Sequence, residues 1–342
     1  MKKLISRRQF LATAGVAAAA GVLTACGGSS SSTAASSTAS SAAASSAAAD
    51  GQKFTVGICQ LVQHAALDAA TQGFEDALTA QFGENVTFDF QNAQNDSATC
   101  ATIANGFVSA GVDLIMANAT PALQAAQAAT DSIPILGTSV TEYGVALGLD
   151  NFSGTVGGNV SGTSDLADLS QQADMITEWF PEAKKVALLF CSGEPNSRYQ
   201  IEEVAKCLSD KGIETKEFAF TDTNDVASVT QSAADYADVV YVPTDNTAAS
   251  NTEAIANILV PAGVPAICGE EGICKGCGVA TLSINYYDLG VTTGKMAAKI
   301  LTGEANISEM PIEFTEATPK YNPTMCETLG IEPLDGYTAI ED

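Results

Sequence analysis

The sequence predicts an α/β protein made of two doubly wound parallel-sheet lobes, and three observations lead there. Strand-like and helix-like segments alternate from residue 54 onward. The alternation returns roughly 130 residues later, so the body reads as two halves of similar plan. Polar and glycine-containing residues follow the strands directly, and open parallel sheets bind ligands beyond the carboxyl ends of their strands. An eight-fold barrel would accommodate the strand count but not a Gly- and Ser-containing break near residues 150–170.

In the first half, Phe54-Thr55-Val56-Gly57-Ile58 alternates like a strand, and residues 64–78 then set Leu67, Ala70, Phe74 and Leu78 on one helical face. Val86-Thr87-Phe88-Asp89-Phe90 is the next strand, and Ile103, Phe107 and Val108 mark the next helix. Residues 112–117 are nearly all apolar, as suits a strand covered on both faces. Pro121 opens a helix to about residue 129, and residues 133–136 give a fourth strand. In the second half the same order runs through Lys185-Val186-Ala187-Leu188-Leu189-Phe190, a helix over 197–208, a strand over 217–220 and a helix after Asp225. Ala237-Asp238-Val239-Val240-Tyr241 and Val264-Pro265-Ala266-Ile267 complete it.

The N-terminus is an address. Lys2, Lys3, Arg7 and Arg8 precede an Ala-rich apolar segment over 10–25, too short for a spanning helix of about 20 strongly apolar residues. Leu23-Thr24-Ala25-Cys26 resembles a bacterial lipobox, which makes residues 1–25 a signal peptide and Cys26 the lipidated first residue of the mature chain. Ser6-Arg7-Arg8-Gln9-Phe10-Leu11 resembles a twin-arginine export motif; an ordinary secretory signal with two adjacent arginines is the alternative. Residues 26–50 are almost entirely Gly, Ser, Thr and Ala, a composition expected to form a disordered tether.

With 15 basic and 40 acidic residues the chain carries a formal charge of −25, which opposes any polyanion and excludes nucleic acid as a partner. No later apolar run is long enough to span a membrane. Besides Cys26 there are eight cysteines, of which Cys59, Cys191 and Cys268 end apolar strand-like runs where a thiol packs as a small hydrophobe; no disulfide framework is expected.

The post-strand segments are 60–64, 118–121, 138–141, 192–197, 244–246 and 269–271, three per lobe across a cleft. Here the chain resembles a known family, the lipoprotein substrate-binding proteins of ABC importers, in the tryptophan-binding-like group with the type I periplasmic-binding fold. The resemblance rests on Val56-Gly57-Ile58-Cys59-Gln60 with His64 and Leu67-Asp68, on Ala119-Thr120-Pro121-Ala122, and on Gly157-Gly158-Asn159-Val160-Ser161-Gly162. It continues through Tyr241-Val242-Pro243-Thr244-Asp245-Asn246, Gly269-Glu270-Glu271-Gly272, and Tyr286-Tyr287-Asp288-Leu289-Gly290 with Lys295-Met296-Ala297. It implies a two-lobe clamp closing on its ligand, with three crossings near Gly162, Ser283 and Pro311. Lobe 1 would comprise 54–162 plus 284–310, and lobe 2 would comprise 163–283 plus 311–342. The helix over 289–301 would pack on lobe 1. The implied partners are a small-molecule solute, an ABC permease with its ATPase, and the membrane through lipid on Cys26; the protein would act as a monomer without a cofactor. An aromatic amino acid is the implied solute, with a branched-chain amino acid, a sugar or a purine nucleoside left open.

A free amino acid needs donors for its carboxylate and acceptors for its ammonium. Thr120, at a helix start, with Thr138 and Ser139 are the carboxylate candidates, and Thr120 also reads as a helix cap. Asp245, Glu270 and Glu194 are the ammonium candidates, against plain roles as a turn cap and solvated loop acids. Asn196, Ser197 and Asn246 divide between helix capping and ligand contact, while Gln60, Ala119 and Ser192 join the set from their loops. His64, the one histidine, reads as a helix-start or cleft-lining residue rather than a catalyst or metal ligand. Leu67, Tyr143 and Tyr286 are wall candidates that core packing would equally explain, and Trp179 reads as packing.

Cys274-Lys275-Gly276-Cys277 is the one short motif that suggests an enzyme. It falls between Gly272 and Gly278 in what reads as a loop, whereas a redox CxxC opens a helix, and no second CxxC or His pair completes a zinc site. Incidental thiols, a local disulfide, a redox pair and a metal site stay open in that order. No nucleophile elbow, phosphate loop or paired acid and base stands out, so a binding protein leads over a thiol oxidoreductase or a sugar-modifying enzyme. A ligand-sensing module for a membrane receptor is the remaining alternative.

Overall fold

Each half of the chain builds a sheet whose strands are apolar on both faces, so helices must cover both faces. The computed structural model describes residues 51–341; the expected signal peptide, Cys26 and tether lie outside the described residues. In the first half β1 (Phe54–Gln60), α1 (Ala65–Phe82), β2 (Val86–Asn92), α2 (Ser97–Ala110), β3 (Leu114–Asn118), α3 (Thr120–Ala129), β4 (Ile135–Val140), α4 (Tyr143–Leu147) and β5 (Val160–Ser164) follow in turn. The second half repeats the order with α5 (Leu169–Trp179), β6 (Lys185–Cys191), α6 (Pro195–Asp210), β7 (Glu214–Phe220), α7 (Val226–Ala234) and β8 (Val239–Val242). It continues through α8 (Asn246–Ala249), α9 (Thr252–Ala262), β9 (Ala266–Cys268), α10 (Glu271–Cys277) and β10 (Ala280–Ser283). After it come α11 (Tyr286–Leu301), β11 (Glu313–Phe314), β12 (Thr318–Tyr321), α12 (Pro323–Leu329) and β13 (Thr338–Ala339).

The first sheet is parallel throughout, in the order β2-β1-β3-β4-β5-β11. The second runs β7-β6-β8-β9-β10-β12-β13, with β12 antiparallel to β10. The shared order across the first five strands of each places a topological switch point beside β1 and beside β6, where an open sheet makes its crevice. Alternate residues of β6 serve opposite cores: Val186, Leu188 and Phe190 join Ile201, Val204 and Leu208 of α6, whereas Ala187, Leu189 and Cys191 join Val226, Ile255 and Leu259.

The helix α11 lies along α1 at a separation that only glycine permits. A Cβ on Gly73 would collide with the Tyr287 carbonyl, and one on Gly290 with the Ala70 carbonyl. Leaving the first sheet, the chain runs through Asp165 into α5, whose start Asp168 caps by accepting from Ser170 N at 2.9 Å. It returns from β10 into α11, capped by Asn285, which accepts from Asp288 N at 3.0 Å. Such caps contribute about 1 kcal/mol each and hold the crossing strands in register with their helices.

The second crossing follows β10, which ends at Ser283, while the first and third fall a few residues after Gly162 and Pro311. Pairing of β5 persists to Ser164 rather than ending near Gly162, and β11 still pairs with Thr163 and Ser164. The chain therefore leaves the first sheet after Phe314, not near Pro311, because those two extended residues find open backbone at the sheet edge.

Two local expectations also change. Thr138 and Ser139 are not in a loop: β4 runs to Val140, with an irregular register between Gly137 and Val140 and Ser139 at φ 52°. Cys274 and Cys277 lie in the helix α10 rather than a loop, because buried Glu270 caps that helix and its apolar face packs on β9.

Candidate functional site

The strand ends of the two lobes face each other across a small cavity. From the first lobe, His64 and Leu67 reach it at the start of α1, and Ser139 and Thr141 at the end of β4. Asp165 and Tyr286 enter from the first two crossings. The second lobe supplies Asn196 from the first turn of α6, Thr244, Asp245, Asn246 and Ala249 around α8, and Glu270 before α10. The atom-free space here, counted with its opening to solvent, is about 270 Å³, and the clear space at the centre is about 10 Å³, little more than one water. An amino acid therefore needs the lobes to part and the walls to re-seat around it.

The lining holds three acids and no lysine or arginine. Asp165 is buried; its Oδ2 accepts from the Tyr286 hydroxyl at 2.9 Å, and its Oδ1 has no partner among the described residues. Burial pushes its carboxyl up from 3.8 to about 6, against the hydrogen bonds it accepts. Glu270 is likewise buried and accepts from Gly272 N at 2.7 Å and from Ile273 N; burial pushes it up to about 7. Asp245 accepts from Cys191 N at 2.7 Å and Ala248 N at 2.8 Å, and burial with the neighbouring Glu194 carboxylate raises its carboxyl. Desolvation lowers His64 below 6.5 despite the acids around it.

Eight buried side-chain polar atoms lack a partner among the described residues, and three of them sit on this cavity: Ser139 Oγ, Asp165 Oδ1 and Asn196 Oδ1. The amide of Asn196 is oriented by its Nδ2, which donates to Thr244 O at 3.1 Å and to Glu194 Oε2 at 3.3 Å, leaving the oxygen toward the cavity. A buried acceptor without a partner costs about 1–3 kcal/mol, so the convergence of Asp165 Oδ1 and Asn196 Oδ1 points to a ligand that supplies donors, while the Ser139 hydroxyl is free to donate.

Of the side chains expected in the site, His64, Ser139, Asn196, Asp245, Asn246 and Glu270 line the cavity. The others are engaged elsewhere. Gln60 is buried beneath it, donating to Val62 O at 2.8 Å and to Asp68 Oδ1 and accepting from Thr71 Oγ1 at 2.7 Å. Thr138 accepts from Thr163 and Thr293 hydroxyls within the first lobe, both at 3.2 Å. Ser192 is exposed and donates to Phe220 O at 3.2 Å. Thr120 does not cap α3: Ala119 holds the cap position, at φ 90° and ψ 158°, and Thr120 follows as its first residue. Asn196 and Ser197 do not cap α6 either; Glu194 occupies that position and Ser197 is buried in the first turn.

Glu194 is no free acid. Its carboxylate accepts from Asn246 N at 2.9 Å, Asn246 Nδ2 at 2.7 Å, Thr247 N at 2.9 Å and Thr247 Oγ1 at 2.9 Å. The residue missed outright is Asp165, which no strand-end pattern marks because it follows Ser161-Gly162-Thr163-Ser164, a run of small residues without apolar alternation. Tyr286, left between wall and core, is the partner that positions it.

The eight cysteines among the described residues are free thiols. Burial raises the thiol of Cys274, and the Cys268 thiol with burial raises that of Cys277, the opposite of what a reactive pair needs. Among the described residues no group of three or more His, Cys, Asp or Glu side chains could hold a metal ion, and no helix is long and apolar enough to cross a membrane.

Two doubly wound lobes with polar strand ends converging on one cavity define a small-ligand-binding protein of the periplasmic-binding type. The model of the ABC transporter substrate binding protein family matches residues 55–335, and the chain belongs to that family of binding proteins rather than to an enzyme family. A tyrosine-binding protein of Clostridioides difficile (strain R20291) is 36% identical over 266 residues, spanning 77% of this chain and 76% of that one. A structure from Streptococcus pneumoniae in complex with L-Trp superposes with a TM-score of 0.80 at 29% identity, covering 84% of this chain and 100% of that one. The ligand-free, open structure of a substrate-binding protein with adhesive properties from Clostridium difficile superposes with a TM-score of 0.64 at 37% identity, covering 84% and 99%. The L-Trp complex, although less identical in sequence, superposes better than the ligand-free, open structure.

Proposed function

We propose that this chain is an extracytoplasmic solute-binding lipoprotein that takes up an aromatic amino acid between its lobes and delivers it to an ABC permease. The observation that carries the reading is the convergence of Asp165 Oδ1 and Asn196 Oδ1, two buried acceptors without partners, on a cavity whose titratable walls are acidic. An ammonium group satisfies both, and neutral donors such as the Ser139 and Thr141 hydroxyls are left for a carboxylate. Leu67, Ala249 and the rings of His64 and Tyr286 suit an apolar, aromatic side chain. The tyrosine-binding and L-Trp-bound relatives support the same solute class. Anchoring through lipid on Cys26, with residues 26–50 as tether, would hold the clamp beside its permease.

The test is a thermal-shift and calorimetric screen of the full-length protein against amino acids, sugars and nucleosides. A solute at 100 times its dissociation constant should add about 2.7 kcal/mol of stability. Shifts with L-tyrosine, L-tryptophan or L-phenylalanine are expected; a shift with a sugar alone would replace the reading.

A further inference from the structure

We infer that Glu194 is a positioning residue for lobe closure: it holds Asn246 and Thr247 so that both latch onto the opposite lobe. The inference rests on the binding-protein reading and concerns how the closed state is held. A single buried carboxylate accepts the backbone N–H and the side-chain donor of both residues, four hydrogen bonds between 2.7 and 2.9 Å. The same two side chains also bond across the cleft, Asn246 through its other amide atom and Thr247 through the same hydroxyl. Asn246 Oδ1 meets His64 Nε2 at 3.3 Å, and Thr247 Oγ1 accepts from Asn95 Nδ2 at 3.0 Å.

The directions of these bonds are determined. Because Asn246 Nδ2 donates to Glu194, its oxygen faces His64, so the imidazole must donate from Nε2. Because the Thr247 hydroxyl donates to Glu194, a lone pair is left for the Asn95 amide. Glu194 thus turns two residues of the second lobe into acceptors for two donors of the first. His64 lies at the start of α1, and Asn95 precedes α2, so the latches engage separate elements of the first lobe. Glu194 does not line the cavity, but its Oε2 also accepts from Asn196 Nδ2 at 3.3 Å, so the latch must be separated by experiment from an effect on Asn196.

Glu194→Gln keeps shape but turns one carboxylate oxygen into a donor facing donors, which misdirects the latch. Losing two hydrogen bonds across the cleft should weaken L-tyrosine or L-tryptophan binding by roughly tenfold, seen as faster dissociation. The decisive readout is a double-mutant cycle in the full-length protein with His64→Phe and Asn95→Ala combined. If Glu194 acts through the latch, Glu194→Gln has almost no further effect in that background. Equal weakening in both backgrounds would show that Glu194 acts on the solute itself and would overturn the inference, as would unchanged affinity in the single variant. Should Glu194→Gln fold poorly, Thr247→Val removes one latch with little change of shape and should be non-additive with Asn95→Ala; additivity would overturn the inference as well. Small-angle scattering of the closed fraction follows the latch independently of affinity. Wild-type protein that binds none of the amino acids refutes the solute class, whereas a closed fraction unchanged by Glu194→Gln refutes the latch.

Discussion

Asp165→Asn separates the two roles that the cavity demands of a buried acid. In the ligand-free protein the Asp165 carboxylate is buried, with one oxygen bonded to Tyr286 and the other unpartnered. Its carboxyl is raised from 3.8 to about 6, so protonation is favoured by folding. The stability associated with that proton is fully present below pH 4 and is lost as pH rises through 6. Above that range the buried charge costs about 3 kcal/mol at 1.36 kcal/mol per pH unit, an order-of-magnitude figure. An asparagine carries no charge, so the variant should unfold at higher denaturant than wild type at pH 8 and show little advantage at pH 4. Binding should move the other way: a charge-assisted hydrogen bond to an ammonium is worth about 1.5–3 kcal/mol, so affinity at pH 8 should fall roughly 10- to 150-fold. Denaturant titration at two pH values and calorimetry with L-tyrosine and L-tryptophan provide both readouts. A variant that binds these amino acids as tightly as wild type at pH 8 would refute the placement of the ammonium at Asp165.

Three further outcomes are expected. Because burial raises Asp165, Glu270 and Asp245, a cationic group binds best when they are ionised; affinity should rise from pH 5 to pH 8 with proton release, measurable by calorimetry in buffers of different ionisation enthalpy. Gly290→Ala forces a methyl against the Ala70 carbonyl and should destabilise the protein by about 1–3 kcal/mol in denaturant titration, because neither helix backbone can yield cheaply. Cys26→Ala should abolish incorporation of labelled fatty acid into the protein in metabolic labelling; continued labelling would refute lipid attachment at Cys26.

The doubled plan was legible because apolar runs such as Leu114-Ile115-Met116-Ala117 have few alternatives to a doubly covered strand. Where small polar residues build the sheet the pattern fails. Thr138 and Ser139 read as loop because β4 continues through an irregular, hydroxyl-bonded stretch, and the sequence around Asp165 gives no apolar period to place it. Glycines hid α10: Gly272 and Gly276 argue against a helix locally, and the cap from Glu270 with packing on β9 outweighs them. At the site, the strand-end rule brought six expected side chains to one cavity. It could not tell Asp245 and Glu270, which face that cavity, from Glu194, whose acceptors are filled by the first residues of α8, beginning 52 residues away. Which acid stays unpartnered depends on tertiary hydrogen bonding, and Asp165 is found only by asking which buried oxygen has none.

The most direct test of the amino-acid reading compares L-tyrosine with 3-(4-hydroxyphenyl)propanoate, which lacks only the amino group, by calorimetry on the full-length protein at pH 8. If Asp165 and Asn196 hold an ammonium, the deaminated analogue should bind at least about tenfold more weakly, since it leaves both buried acceptors unpaired. Equal affinity for the two compounds would contradict the account.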